Sequence, residues 1–135
     1  MTYKSKIFLL ADDDLEDQEL FKEVILEMLP QSNVQLVANG KEVIEYLTNC
    51  DDSELPGLIL LDYNMPKANA AEILDMLKLQ PRIHNIPKIV WSTSGSENHV
   101  NDCISKGAKA FFVKPNNFSQ LKKMVIQILA FADLK

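Results

Sequence analysis

The sequence predicts an α/β fold of the doubly wound kind, a (βα)5 three-layer sandwich around a parallel five-stranded sheet in the order 2-1-3-4-5. Three observations carry this. Short apolar runs at residues 7–11, 34–38, 58–61, 86–92 and 110–113 are each followed by a stretch with apolar residues at helical spacing. The runs at 7–11 and 58–61 are continuously apolar rather than alternating, as in strands buried on both faces. Helix starts also repeat one device: Asn39 before Glu42, Asn69 before Glu72, Ser94 before Glu97 and Asn117 before Gln120 have capping-box spacing, with Asp14 before Asp17 a looser version. Strict strand–helix alternation implies right-handed crossovers with helices on both faces, and 2-1-3-4-5 is a common order for such a sheet.

Taken in order, Ile7 to Ala11 form the first strand, which stops on Asp12, Asp13 and Asp14. Leu20, Phe21, Val24, Ile25 and Met28 give the first helix, ended by Pro30. Val34 to Ala38 form the second strand, and Val43, Ile44 and Leu47 a short second helix. The third strand, Leu58 to Leu61, opens after Pro56-Gly57 and ends on Asp62, with Pro66 closing the segment. Ile73, Leu74, Met76 and Leu77 make a third helix that stops before Pro81. The fourth strand, Ile86 to Ser92, ends on hydroxyls, and a weaker helix around His99 to Ser105 stops at Lys106-Gly107. Ala110 to Val113 form the fifth strand, ending on Lys114-Pro115, and the last helix spans about Phe118 to Ala132.

The 135 residues fit one domain, 1–135 with a core of about 6–132, and a composition 47% hydrophobic and 24% charged is ordinary for a globular chain. No apolar run approaches the roughly 18 residues of a membrane span, and no signal peptide is visible, so a soluble cytoplasmic protein is expected. A net charge of -5 without a basic patch argues against nucleic-acid binding. Cys50 and Cys103 lack metal-ligand spacing and read as free thiols; His84 and His99 stand apart, in a loop and a helix.

The predicted order makes strands one and three neighbours at the switch point, which brings Asp12 and Asp13 beside Asp62, with Ser92 and Lys114 on the same edge. Carboxylates gathered in one crevice repel, so one holds a proton or a cation sits among them. Carboxylates, a carbonyl and water suit Mg2+ (or Mn2+), and three carboxylates balance the ion plus Lys114. A carboxylate beside such an ion can also accept a phosphoryl group, with Asp62 the candidate nucleophile, Lys114 a clamp and Ser92 a hydroxyl donor. Asp14 fits a helix cap better than a third ligand.

These parts resemble a receiver domain of a two-component response regulator, of the CheY-like, flavodoxin-type fold, over about residues 6–132. The resemblance rests on Leu-Leu-Ala-Asp-Asp-Asp at 9–14, Leu-Leu-Asp-Tyr-Asn-Met-Pro at 60–66, Ile-Pro-Lys-Ile-Val-Trp-Ser at 86–92 and Gly-Ala-Lys-Ala-Phe-Phe-Val-Lys-Pro at 107–115, in that order. It implies that Asp62 accepts a phosphoryl group from a sensor histidine kinase or phosphotransfer protein. It also implies that Asp13, Asp62 and the Asn64 backbone carbonyl ligate Mg2+, with Asp12 acting through water. Ser92 and Lys114 would engage the phosphoryl oxygens, and the Lys114–Pro115 bond would be cis. Ser92 and Phe111 occupy the switch positions, and Asn64 and Ser94 those that tune hydrolysis. The expected output face is helix four, strand five and helix five.

The chain departs from the family pattern at Ala70, where Gly is usual, and at Phe111, where Tyr is commoner. Trp91 is bulky for strand four and is expected to report on the site. Only three residues follow Ala132, so a stand-alone receiver without an output domain is expected, signalling through another protein. Met124, Ile126 and Phe131 add apolar surface around the buried stripe of the last helix, read either as extra core or as a docking or homodimer face. Two other functions compete: a phosphorylation-independent adaptor with this fold, and a haloacid-dehalogenase-type phosphatase. The latter would carry a second Asp two residues after the nucleophile, where this chain has Asn64.

Overall fold

The computed structural model describes residues 6–132. Five strands form one parallel sheet: β1 (Ile7–Ala11), β2 (Asn33–Val37), β3 (Leu58–Asp62), β4 (Lys88–Ser92) and β5 (Ala110–Val113). Their order is β2-β1-β3-β4-β5, as the sequence predicts. Between and after them run α1 (Leu15–Met28), α2 (Gly40–Asn49), α3 (Ala70–Lys78), α4 (Glu97–Ser105) and α5 (Phe118–Leu129), with one 3-10 turn at Asp52–Glu54.

Because strand side chains alternate between faces, the central strands divide their apolar residues between two cores. Leu9, Ala11, Ile59, Leu61 and Val90 pack with α2, α3 and α4 through Val43, Leu47, Ile73, Leu77 and Cys103. Phe8, Leu10, Leu58, Leu60, Ile89 and Trp91 pack with α1 and α5 through Phe21, Val24, Ile25, Leu121, Val125 and Ile128. All five residues of β3 and of β4 are buried, so these strands anchor whatever stands at their ends. Trp91 fits its strand because it meets the edge of the Phe21 ring, with centroids 5.4 Å apart and planes at 70°.

The caps form largely as their spacing implies. Asp14, Asn39, Asn69 and Asn117 each accept the backbone N–H three residues on, and Glu72 returns a bond to the Asn69 N–H. Glu42 instead takes the N–H of Ala38, which ends β2 at Val37, one residue before the predicted end. Ser94 is not the cap of α4. The helix opens at Glu97, with Ser96 at the cap position, and the Ser94 N–H is turned back to Ser92 Oγ at 3.3 Å. β4 opens at Lys88 rather than Ile86, and α5 ends at Leu129 with a turn through Ala132. Of the three additional apolar residues of the last helix, Met124 is extra core at 6% exposed, whereas Ile126 at 58% and Phe131 at 39% face solvent. Residues 133–135, which the sequence reading counted as the remainder after the last helix, lie outside the described residues.

Two loop positions bear on the site. Ala70 is fully buried as the first residue of α3, its N–H donated to Tyr63 O at 3.1 Å, so the side chain there needs no unusual backbone. The left-handed turn of the loop falls at Lys67, with φ 72°. No cis peptide occurs among the described residues, so Lys114–Pro115 is trans. This is the isomer an X–Pro bond prefers unless its surroundings impose the other.

Candidate functional site

The site lies where β1 and β3 run side by side, with Ala11 opposite Leu61, and where β4 and β5 end. Strand pairing sets the spacing of the functional residues. Asp62 is opposite Trp91, the Tyr63 N–H binds Trp91 O at 2.9 Å, Ser92 is opposite Val113, and the Lys114 N–H binds Ser92 O at 2.7 Å. Asp62, Ser92 and Lys114 therefore step across the same sheet edge.

Asp12, Asp13 and Asp62 each offer a carboxylate oxygen, and these oxygens lie within 4.8 Å of one another. Asp12 and Asp62 are buried and Asp13 is exposed, so the cluster opens to solvent on the Asp13 side. The Lys114 ammonium lies 2.9 Å from Asp12 Oδ2, 2.9 Å from Asp17 Oδ2 and 3.4 Å from Asp62 Oδ2. Burial, followed by the charge of Asp12, pushes Asp62 up to about 7, against the lowering effect of Lys114. Burial raises Asp12 as well, again opposed by Lys114. Burial disfavours the charge on Lys114, but Asp12, Asp17 and Asp62 together outweigh it and raise its pKa.

One lysine thus leaves the carboxylates undercompensated. Asp12 is fully buried with the Lys114 ammonium 2.9 Å from its Oδ2, and burial beside Asp12 favours the protonated form of Asp62. A hard divalent cation fits such a donor set: carboxylate oxygens, an open exposed side and missing positive charge.

The remaining expected residues stand around this cluster. Ser92 is 1% exposed and its Oγ accepts the Ser94 N–H. Asn64 is exposed, and its N–H reaches Asp62 Oδ1 at 3.4 Å. Ser94 is exposed on the β4–α4 connection. Phe111 is half-buried on β5 and packs toward Tyr63, with centroids 6.4 Å apart. Trp91 lies on the α1/α5 side of the sheet, with the Lys114 ammonium 4.9 Å from its ring centroid.

Three participants escaped the sequence reading. Asp17, read only as part of a cap, shares Lys114 with the acid cluster. Gln18, 4% exposed, donates Nε2 to Asp12 O at 2.5 Å and Val37 O at 2.8 Å, which fixes the main chain under the acid pair. His99 of α4 stacks on Tyr63, the residue after Asp62, at 4.1 Å with planes 17° apart. A polar Gln among the apolar positions of the first helix was the one local signal; the Lys114–Asp17 and Tyr63–His99 contacts join residues far apart in sequence.

An acid cluster closing the carboxyl edge of a doubly wound sheet, with the lysine of the last strand drawn into it, defines the class of signal-receiving α/β domains. The family model for the response regulator receiver domain matches residues 8–126, and the chain belongs to that family. Response regulator Rcp1 of Synechocystis sp. is 30% identical over 129 residues, covering 93% of this chain and 88% of that protein. The crystal structure of the phosphorylated cyanobacterial phytochrome response regulator RcpA superposes with a TM-score of 0.84 at 29% identity, covering 97% of this chain and 99% of that one. The Mn2+-bound form of Rcp1 superposes at 0.78 with 31% identity, covering 93% of each chain. Among the described residues no helix is long and apolar enough to cross a membrane.

Proposed function

We propose that this chain is a phosphoacceptor signalling protein that receives a phosphoryl group on Asp62 from the phosphohistidine of a sensor kinase or phosphotransfer protein. The observation that carries the reading is the undercompensated cluster of Asp12, Asp13 and Asp62, held against Lys114 on a receiver sheet. A phosphorylated relative and a Mn2+-bound relative with the same fold support it.

In this reading Asp13, Asp62 and the Asn64 carbonyl hold Mg2+ or Mn2+, and Asp12 acts through water. When bound, the ion neutralises charge on the transferring phosphoryl oxygens and removes the need for a proton on Asp62. An Asp62 carboxylate oxygen forms the new bond to phosphorus as the bond to the donor imidazole nitrogen breaks, and the electron pair stays with the imidazole. Lys114 and Ser92 bond the oxygens of the transferred group. The added charge, about -1.5 to -2, draws Ser92 inward, and Phe111 follows into the vacated space. The consequence is a changed α4–β5–α5 face and a changed affinity for a protein target there. Activity consists of accepting and slowly losing the phosphoryl group, without turnover of a separate substrate.

The test is Trp91 fluorescence during addition of Mg2+ and then acetyl phosphate, for the wild type and Asp62→Asn. A donor-dependent change that requires Mg2+ and is absent from the variant is expected. The same response in Asp62→Asn overturns the assignment of the acceptor.

A further inference from the structure

Lys114 is surrounded by three carboxylates, but its contacts with them are not equivalent. Asp12 Oδ2 and Asp17 Oδ2 are both 2.9 Å from Nζ, but Asp12 is held at the end of β1 in the interior while Asp17 belongs to the solvent-facing first turn of α1. The ammonium, with three donors, is thus shared between a buried carboxylate of the acid cluster and a partly exposed one on α1. Asp62 is the farthest of the three, at 3.4 Å.

The position of Asp17 is fixed from two sides. Its N–H is donated to the cap residue Asp14 at 3.1 Å, and the next residue, Gln18, ties α1 to Asp12 O and Val37 O. Its side chain is 31% exposed, against 9% for Lys114 and 0% for Asp12. An Asp17 carboxylate that loses the lysine can thus be taken over by water, whereas a buried one cannot.

We infer that Asp17 is a positioning residue that holds the Lys114 ammonium on α1 in the resting protein and competes with an anion on Asp62 for it. The inference rests on Asp62 being the phosphoacceptor. A phosphoryl oxygen on Asp62 draws the ammonium toward Asp62, now 3.4 Å away, and so away from Asp17, which it meets at 2.9 Å. Asp17 also places a negative charge 2.9 Å from the ammonium, which weakens its pull on the incoming anion. Both effects act in one direction: Asp17 favours the unphosphorylated state, and α1 is released from Lys114 when the group arrives.

The experiment compares wild type, Asp17→Asn and Asp17→Glu in Mg2+. Beryllofluoride affinity is read from Trp91 emission, and the adduct formed at a limiting acetyl phosphate concentration from intact mass. Asp17→Asn keeps the size of the side chain and removes the charge; it is expected to bind beryllofluoride about two- to tenfold more tightly and to carry more adduct. Asp17→Glu, which restores the charge, is expected to return toward wild type. A purely structural role for Asp17 would not separate these variants by charge. Affinity in Asp17→Asn equal to or weaker than wild type, or Asp17→Glu behaving like Asp17→Asn, overturns the inference while a phosphorylated wild type leaves the function in place. A wild type that takes up neither donor nor analogue is the distinct failure of the phosphoacceptor reading, and the inference falls with it.

Discussion

The ammonium of Lys114 stands 4.9 Å from the centroid of the Trp91 ring, so the only tryptophan of the chain senses the cation nearest the acid cluster. The indole is 2% exposed and its Nε1 has no partner, which leaves the lysine as a dominant polar influence on it. Removing that charge by Lys114→Met is expected to change Trp91 emission in the resting protein. Lys122→Met, whose ammonium lies 5.1 Å over Phe118 instead, is expected to leave the spectrum unchanged.

Stability should depend on pH in a direction set by Asp62. Its carboxyl is raised from 3.8 to about 7, by burial and then by the charge of Asp12. Across that interval the folded chain holds a proton that the unfolded chain has released. The contribution is fully present below the unfolded pKa and is lost as pH rises through the folded one. The metal-free protein is therefore expected to lose thermal stability between about pH 4 and pH 7, by on the order of a few kcal/mol. Asp12, raised in the same direction, adds to the trend. Thermal melts should show the slope flattened in Asp62→Asn and the stability at about pH 8 recovered by Mg2+.

Gln18 should matter more than its place in the sequence suggests. Replacing it with Leu keeps the volume but withdraws the donor from Asp12 O and Val37 O at the buried end of β1. A loss of about 1–3 kcal/mol is expected, measured by urea unfolding. Because those bonds fix the main chain under Asp12, Mn2+ affinity is expected to fall in the same variant.

Asp13 is the exposed member of the acid cluster, so its replacement leaves no buried group stranded. Asp13→Asn is expected to weaken Mn2+ binding by about tenfold or more with little change in thermal stability. Calorimetric titration with Mn2+ alone checks this without any phosphodonor.

What the sequence made legible were features written locally. Continuous apolar runs ending on Asp12 and Asp62 gave the strands and the acid cluster, and Asn39, Asn69 and Asn117 gave helix starts within a residue of those observed. Ser94 misled because the same spacing can be satisfied by a turn: its N–H is claimed by Ser92 Oγ before a helix can begin. Of Met124, Ile126 and Phe131 only Met124 joins the core, because the helix pattern does not say how wide the buried stripe is, and α1 covers more of α5 than the minimal stripe requires. The Lys114–Asp17 pair and the Tyr63–His99 stack were invisible for a different reason. Each joins elements far apart in the chain, and no spacing along the sequence encodes it.

Ala70 shows how a departure from a family pattern can be absorbed by packing. Its backbone is helical and its side chain fully buried, while the left-handed residue of the loop is Lys67. Close approach is managed instead at Gly40, where an added Cβ would stand 2.8 Å from Ala68 Cβ. Gly40→Ala is accordingly expected to destabilise the protein by pushing α2 away from the loop that follows Asp62, with a lower thermal midpoint as the readout.

The central claim is that Asp62 accepts the phosphoryl group. Its most direct test is intact-mass and peptide mass analysis after incubation with acetyl phosphate, with and without Mg2+, for wild type and Asp62→Asn. The account requires one phosphoryl adduct on the wild type, dependent on Mg2+, located on the peptide that carries Asp62 and absent from the variant. No adduct on the wild type, or an adduct that persists in Asp62→Asn, would contradict it.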